Sequence, residues 1–127
     1  MPDAGRRHMK QQVILLGTDS SEFEIAVKRL DAMLVMLEGR LTQTDYLVGN
    51  QLTIADIVYS PYITRLDHLN MQYMWADKPG VTAWYQALQQ TEGYQKGIRA
   101  AFNDQAIAKL GAAGDVYATK IAEIIAA

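Results

Sequence analysis

Asp56 is the first residue in this sequence whose spacing could support chemistry. It follows Thr53 by three positions in the run Leu52-Thr53-Ile54-Ala55-Asp56-Ile57. A carboxylate can act as a general acid or base, but no second acid or histidine lies beside it in sequence to share that work. The same spacing is typical of a helix capping box, in which Thr53 and Asp56 each accept a hydrogen bond from the other's backbone amide. We therefore interpret Asp56 as a capping residue and predict no catalytic residue in this chain.

Leu52 and Ile57 flank this capping box and complete the pattern of a helix start. Their positions, one before the cap and four after it, are those of a hydrophobic staple. Replacing Asp56 by alanine should cost about 1 to 3 kcal/mol of stability if the reciprocal cap forms. The sequence thus predicts a firmly fixed helix that begins near residue 53.

The other chemically suggestive residues have simpler interpretations. His68 follows Asp67 near a predicted helix end, where we expect a solvated or capping histidine. Asp19-Ser20 has the composition of an acid–serine pair, but it precedes a strong helix and is interpreted as a cap. The sequence contains no cysteine, which excludes disulfides, thiolate metal ligands and a cysteine nucleophile. We predict no metal site.

The elements that position these residues are predicted to be helices. Glycine, proline and turn residues divide the chain into segments of about 10 to 23 residues, which is helix length rather than strand length. The strongest helix spans 21–43. Its apolar stripe is formed by one phenylalanine, one valine and four leucines, at positions 23, 27, 30, 34, 37 and 41. A third row, Ile25, Ala32 and Met36, widens the apolar surface, so we expect this helix to contact two neighbours, one of which could be a partner chain.

Length and charge limit the class of protein further. The chain has 127 residues, half of them hydrophobic, which suits one compact domain over 1–127. Twelve basic residues against 14 acidic ones give a net charge of −2, which offers no electrostatic attraction to nucleic acid or to an anionic membrane. No apolar run approaches the roughly 20 residues that span a bilayer. We predict a cytoplasmic protein.

Three motifs in sequence order resemble the helical C-terminal domain of the glutathione S-transferases. Tyr46-Leu47-Val48-Gly49 and the run 52–57 resemble the family's Y-L-x-G and T-x-A-D-I segments. Residues 78–85, Lys-Pro-Gly-Val-Thr-Ala-Trp-Tyr, resemble its P-x-V-x-x-W segment, and Tyr94 stands at the end of its R-P-x-Y run, with Thr91-Glu92-Gly93 in place of Arg-Pro. The resemblance covers residues 20–98 and implies an all-α bundle of about five to seven helices. Residues 99–127 are predicted to be a helical C-terminal extension.

The resemblance also implies that the glutathione-binding part of the family is not present in this sequence. In the family, a thioredoxin-like N-terminal domain binds glutathione, and this sequence lacks the βαβ alternation that such a domain needs. We therefore expect no cofactor in this chain, and glutathione only where a thioredoxin-like domain is supplied. The family's helical half contributes one wall of a hydrophobic pocket, for which His8, Met9 and Gln12 are the candidates here, and much of a dimer interface.

Two functions follow from the resemblance. In the first, the chain is a stand-alone or truncated domain that is not catalytic alone and serves in hydrophobic-ligand binding, dimerisation or protein interaction. Its partner is then a second copy, a thioredoxin-like protein or another protein, as with the helical domains of this type fused to translation factors. In the second, it is part of a glutathione transferase whose thioredoxin-like half is missing or separately encoded. Both predict exposed apolar helix faces that another surface must cover.

Overall fold

The computed structural model describes residues 4–8, 11 and 17–127, and in these ranges the secondary structure is helical. Six α-helices lie within residues 17–127: α1 Ser21–Leu41, α2 Ile54–His68, α3 Pro79–Gln89, α4 Glu92–Gly97, α5 Asp104–Asp115 and α6 Ala118–Ala126. A further helical stretch covers residues 4–8, and short 3-10 turns occupy Gly17–Asp19, Gln72–Met74 and Arg99–Ala101. No strand occurs in the described ranges, so the predicted all-α class is confirmed.

One compact unit consists of Met1–Met33 together with Tyr117–Ala127. Its described part pairs the start of α1 with α6. The ring of Phe23 lies 6.2 Å from that of Tyr117, and Ile121 and Ile124 of α6 are buried. Helix α1 begins at Ser21, and the side chain of Ser20 accepts from the amide of Glu22 at 3.1 Å. Ser20 is therefore the residue that caps α1.

The second compact unit is Leu34–Val116. Its core is formed by leucines of α1, the inner face of α2 and aromatic residues of α3 and α4. The fully or almost fully buried members are Leu34, Leu37, Ile63, Val81 and Trp84. The apolar stripe of α1 is buried or half-buried along its length, as its spacing predicts. The third row is different, because Ile25, Ala32 and Met36 are all exposed, so no second neighbour among the described residues covers them.

Helix α2 runs without a break through Pro61. Proline has no amide hydrogen, so the carbonyl of Ile57 loses its usual partner four residues ahead. The hydroxyl of Ser60 donates to that carbonyl at 2.9 Å. This local replacement explains how a single helix continues through the proline.

The C-terminal end of α2 packs closely on α5 through two glycines. A Cβ atom on Gly114 would lie 1.8 Å from the carbonyl oxygen of Leu69, and one on Gly111 would lie 2.5 Å from the side chain of Asn70. Asn70 itself has a φ of 57°, a left-handed conformation that asparagine tolerates better than most residues. The position of the end of α2 therefore depends on residues of α5 that have no side chain.

Candidate functional site

The inner side of α2 is organised around Asp56, which is completely buried in the helix's first turn. Its Oδ2 accepts from the backbone amide of Thr53 at 2.8 Å. The hydroxyl of Thr53 donates to the same oxygen at 3.4 Å. The carboxylate therefore holds the start of α2 from within, at the spacing that the sequence singled out.

The other oxygen of Asp56 reaches two more distant segments. Oδ1 accepts from the backbone amide of Leu47, at 3.0 Å, and from the indole Nε1 of Trp84 in α3, at 2.8 Å. Four donors thus converge on one buried carboxylate. Hydrogen bonds to an ionised acceptor are about twice as strong as neutral ones, so Asp56 joins the Tyr46–Gly49 turn, α2 and α3. Its oxygens are enclosed and engaged, which suits a structural role rather than proton transfer to a substrate.

The outer side of α2 has the opposite character, because its apolar side chains face solvent. Ile54 is 77% exposed, Ile57 58% and Val58 56%, and Tyr62 is also mostly exposed. These residues recur at helical spacing, so they form one continuous face. We call Ile54, Ile57, Val58, Pro61 and Tyr62 the outer face of α2.

A groove adjoins this face. It has a volume of about 340 Å³ and its walls come from the start of α2, from the end of α3 and from α4. Its lining residues are Leu52, Ile57, Ser60, Leu88, Thr91, Gly93, Tyr94 and Ile98. Leu52 and Ile57 therefore lie on the same groove, as the predicted staple requires, but both are exposed. The groove and the outer face share Ile57 and together form one largely apolar surface.

Beneath the groove lies a chain of hydroxyl groups. The hydroxyl of Thr64 lies 2.9 Å from that of Tyr94, which lies 3.1 Å from that of Tyr85. The Tyr85 hydroxyl donates to Asp67 at 2.7 Å. Burial, followed by these hydrogen bonds, raises the pKa of the Tyr85 phenol well above its usual value. Tyr85 therefore stays protonated as a donor, and this chain of hydroxyls fixes α3 and α4 against α2.

A second carboxylate performs a role that the sequence did not reveal. Glu38 of α1 accepts from the amide of Gly80 at 3.0 Å and from that of Val81 at 2.8 Å. These are unpaired amides in the first turn of α3, where a negative charge also interacts favourably with the helix dipole. In the sequence, Glu38 lies on the largely polar face of α1, opposite the apolar stripe. Glu38 and Gly80 are 42 residues apart in the sequence, so only folding brings them together.

The histidines that the sequence singled out, His68 and His8, both lie in the described part of the chain. His68 packs edge-on against Phe102, with ring centroids 4.8 Å apart. His8 is exposed on the helical stretch at 4–8, whereas Met9 and Gln12 lie outside the described residues, so the proposed pocket wall stays a prediction. In the part of the chain that the structure describes, no three acidic or histidine side chains are grouped to hold a metal ion. No described helix is both long and apolar enough to cross a membrane.

Comparison with known proteins identifies the family of this fold. A profile described as "Glutathione S-transferase, C-terminal domain" matches residues 8–87. Among curated proteins, the chain is 26% identical over 78 residues to glutathione S-transferase GstB of Escherichia coli O6:H1 (strain CFT073). That match covers 61% of this chain and 36% of the relative, so the chain spans about a third of the relative's length. No solved structure matches significantly.

Proposed function

Since the chain belongs to the family of glutathione S-transferase C-terminal domains, we propose that it is a non-catalytic association module. It binds another protein surface through the outer face of α2. The partner is a second copy of the chain, a thioredoxin-like protein or another protein. The observation that carries this proposal is the exposure of Ile54, Ile57 and Val58 side by side on one helix.

The physical argument is the cost of leaving this face in water. Burying a side chain the size of isoleucine or valine stabilises a complex by about 1.5 to 3 kcal/mol. Single exposed apolar residues are ordinary, but contiguous ones mark interaction surfaces. The face is also held rigidly, because the opposite side of α2 is anchored through Asp56. A rigid apolar surface loses little conformational entropy on binding.

Sedimentation velocity across the micromolar to millimolar range tests this proposal with a matched pair of variants. Val58→Lys places a charge in the outer face, and Val116→Lys places the same charge on a valine that is 75% exposed elsewhere. Both should keep the wild-type stability within about 0.5 kcal/mol, since both sites are solvated. A second copy as partner predicts concentration-dependent association that Val58→Lys weakens and Val116→Lys leaves intact.

If the wild-type chain is monomeric at every concentration, the same variants are tested for binding to a thioredoxin-like protein. Such a partner, mixed with the chain in trans, should bind the wild type and Val116→Lys but not Val58→Lys. Equal effects of the two lysines on association, or no association in either assay, would contradict the proposed role of the outer face.

The alternative function is that of the helical part of a glutathione transferase. The relative named glutathione S-transferase, of which the chain spans only about a third, favours this alternative. Calorimetric titration with glutathione separates the two. The association-module proposal expects no binding tighter than millimolar by the chain alone. Conjugation of glutathione to an aryl halide, only after a thioredoxin-like half is added, supports the alternative.

A further inference from the structure

A polar cleft lies where the C-terminal ends of α2 and α3 face the segment that leads into α5. Its volume is about 460 Å³, which is enough for a small organic molecule. It shares Tyr94 and Ile98 with the apolar groove, but its other walls carry most of the polar side chains. Asp67 and Gln89 come from the ends of α2 and α3, Gln72 from the 3-10 turn after α2, and Arg99, Phe102 and Asp104 from the segment that leads into α5. The cleft therefore has a different ligand chemistry from the outer face of α2.

Asp67 is a carboxylate fixed in place without a counter-ion. Its Oδ2 accepts from the Tyr85 hydroxyl at 2.7 Å and its Oδ1 from Gln72 Nε2 at 2.6 Å. Both donors are neutral. The ion pairs within 4.0 Å among the described residues involve other side chains. Asp67 also lies in the last turn of α2, where the helix dipole disfavours a negative charge. A fixed, uncompensated carboxylate at this position attracts a cationic group.

Arg99 provides the opposite charge in the lining of the same cleft. Its side chain is exposed and takes part in none of the ion pairs of the described residues. Asp104 also lines the cleft, but it occupies the first turn of α5, where the helix dipole stabilises it. His68 is the remaining titratable group on the α2 side, packed against Phe102. A simple cation would meet Arg99, and a simple anion would meet the two carboxylates.

We propose that this cleft binds a small zwitterion that carries a primary ammonium group and a carboxylate, as free amino acids do. The ammonium pairs with Asp67, whose oxygens keep unused lone pairs, and the carboxylate pairs with Arg99. The ring of Phe102 and the side chain of Ile107 offer an apolar contact for the rest of the ligand. This inference does not depend on the association proposed for the outer face.

Three related probes test the assignment of charge. L-Phenylalanine carries both groups, phenethylammonium lacks the carboxylate, and 3-phenylpropionate lacks the ammonium. Titration followed by amide and side-chain chemical shifts should place L-phenylalanine at Gln72, Gln89 and Phe102. It should bind about ten-fold or more tighter than either single-charge probe, because it alone satisfies both charges. Equal binding of all three probes, or shifts elsewhere, overturns the proposal.

Variants separate the two charge contacts. Arg99→Gln should reduce the affinity for L-phenylalanine to that for phenethylammonium, whereas Lys109→Gln, at an exposed lysine outside the cleft, should leave it unchanged. Asp67→Asn should abolish the preference for ammonium ligands. If that variant unfolds because Tyr85 and Gln72 lose their acceptor, the three probes and the Arg99→Gln variant still test whether the cleft binds a zwitterion. Unchanged L-phenylalanine binding by Arg99→Gln contradicts the assignment.

Discussion

The two sides of α2 differ in exposure, and the inner side buries Ile63 and Leu66 as well as polar side chains. Its inner side buries polar side chains, namely Asp56, Ser60 and Thr64, and each of them has a hydrogen-bond partner. Its outer side exposes Ile57 and Val58. The inner side is fully satisfied by this chain, whereas the outer side is satisfied by nothing in the described residues. Helix α2 is therefore fixed by hydrogen bonds on its inner side, while its outer face presents apolar side chains to solvent.

The largest effect on stability is expected from removing the carboxylate of Asp56, which holds the inner side of α2 in place. Asp56→Ala should lower the free energy of unfolding by about 3 to 5 kcal/mol, since several buried donors lose their acceptor at once. This exceeds the 1 to 3 kcal/mol expected of a reciprocal cap alone, because the amide of Leu47 and the indole of Trp84 also depend on the carboxylate. Urea denaturation measures the change.

Asp45→Ala is the matched control, because that carboxylate is exposed and makes none of the side-chain hydrogen bonds of the described residues. It should change stability by no more than about 0.5 kcal/mol. A loss below about 1 kcal/mol for Asp56→Ala would show that the buried carboxylate does not anchor α2.

Two isoleucines of the same helix compare the sides directly. Ile63 is 0% exposed on the inner side, and Ile57 is on the outer face. Ile63→Ala should cost about 2 to 5 kcal/mol through lost burial and a residual cavity. Ile57→Ala should cost below about 1 kcal/mol in a dilute sample, since its side chain is already in water. Similar losses at both positions in thermal or urea unfolding refute the difference between the two sides.

The packing at the end of α2 is tested by one substitution at two glycines. Gly114→Ala should destabilise by about 2 kcal/mol or more, because its Cβ collides with the backbone of Leu69 rather than with a movable side chain. Gly39→Ala lies inside α1 with nothing within 4 Å of a Cβ, and should stabilise by about 0.5 to 1 kcal/mol. Changes of the same sign in the two variants contradict the close approach of α5 to α2.

The smallest predicted effect is a pH dependence of the inner side. The pKa of Tyr85 is raised by burial and by hydrogen bonds to Tyr94 and Asp67. The unfolded phenol loses its proton near its usual pKa of 10.0, while the folded phenol keeps it. The stabilisation is therefore fully present below pH 10 and declines as the pH rises beyond it. Tyr85→Phe should flatten the alkaline fall in the free energy of unfolding relative to the wild type, as measured by urea denaturation at a series of pH values.

The parts of α2 that depend on local spacing were predictable from the sequence. Thr53, Asp56 and the apolar stripe of α1 are read within one or two helical turns, and the all-α class follows from them. The partners of Asp56 in the Tyr46–Gly49 turn and in α3 were not, because Trp84 lies 28 residues away. The contact of Glu38 with the first turn of α3 could not be predicted for the same reason. No single-residue pattern shows which amide a distant carboxylate will reach after folding.

The sequence predicted that apolar helix faces would be exposed, but it did not predict which residues form them. The family resemblance implies exposed apolar helix faces, and the pocket wall was assigned to His8, Met9 and Gln12, of which only His8 is described. Leu52 and Ile57 were interpreted as a staple that closes a helix start, and in the structure both are exposed, Leu52 at 43% and Ile57 at 58%. A staple and an exposed face have the same spacing, because periodicity records which residues share a face and not whether anything covers it.

The central claim is that the outer face of α2 is open in the isolated chain while the inner side is closed. A soluble nitroxide added to a dilute sample with labelled isoleucine methyl groups measures this directly by paramagnetic relaxation. We expect strong relaxation enhancement at Ile54 and Ile57 and little at Ile63. Ile54 and Ile57 should become protected when a second copy of the chain or a thioredoxin-like partner occupies the outer face. Equal protection of all three isoleucines in the dilute monomer would contradict it.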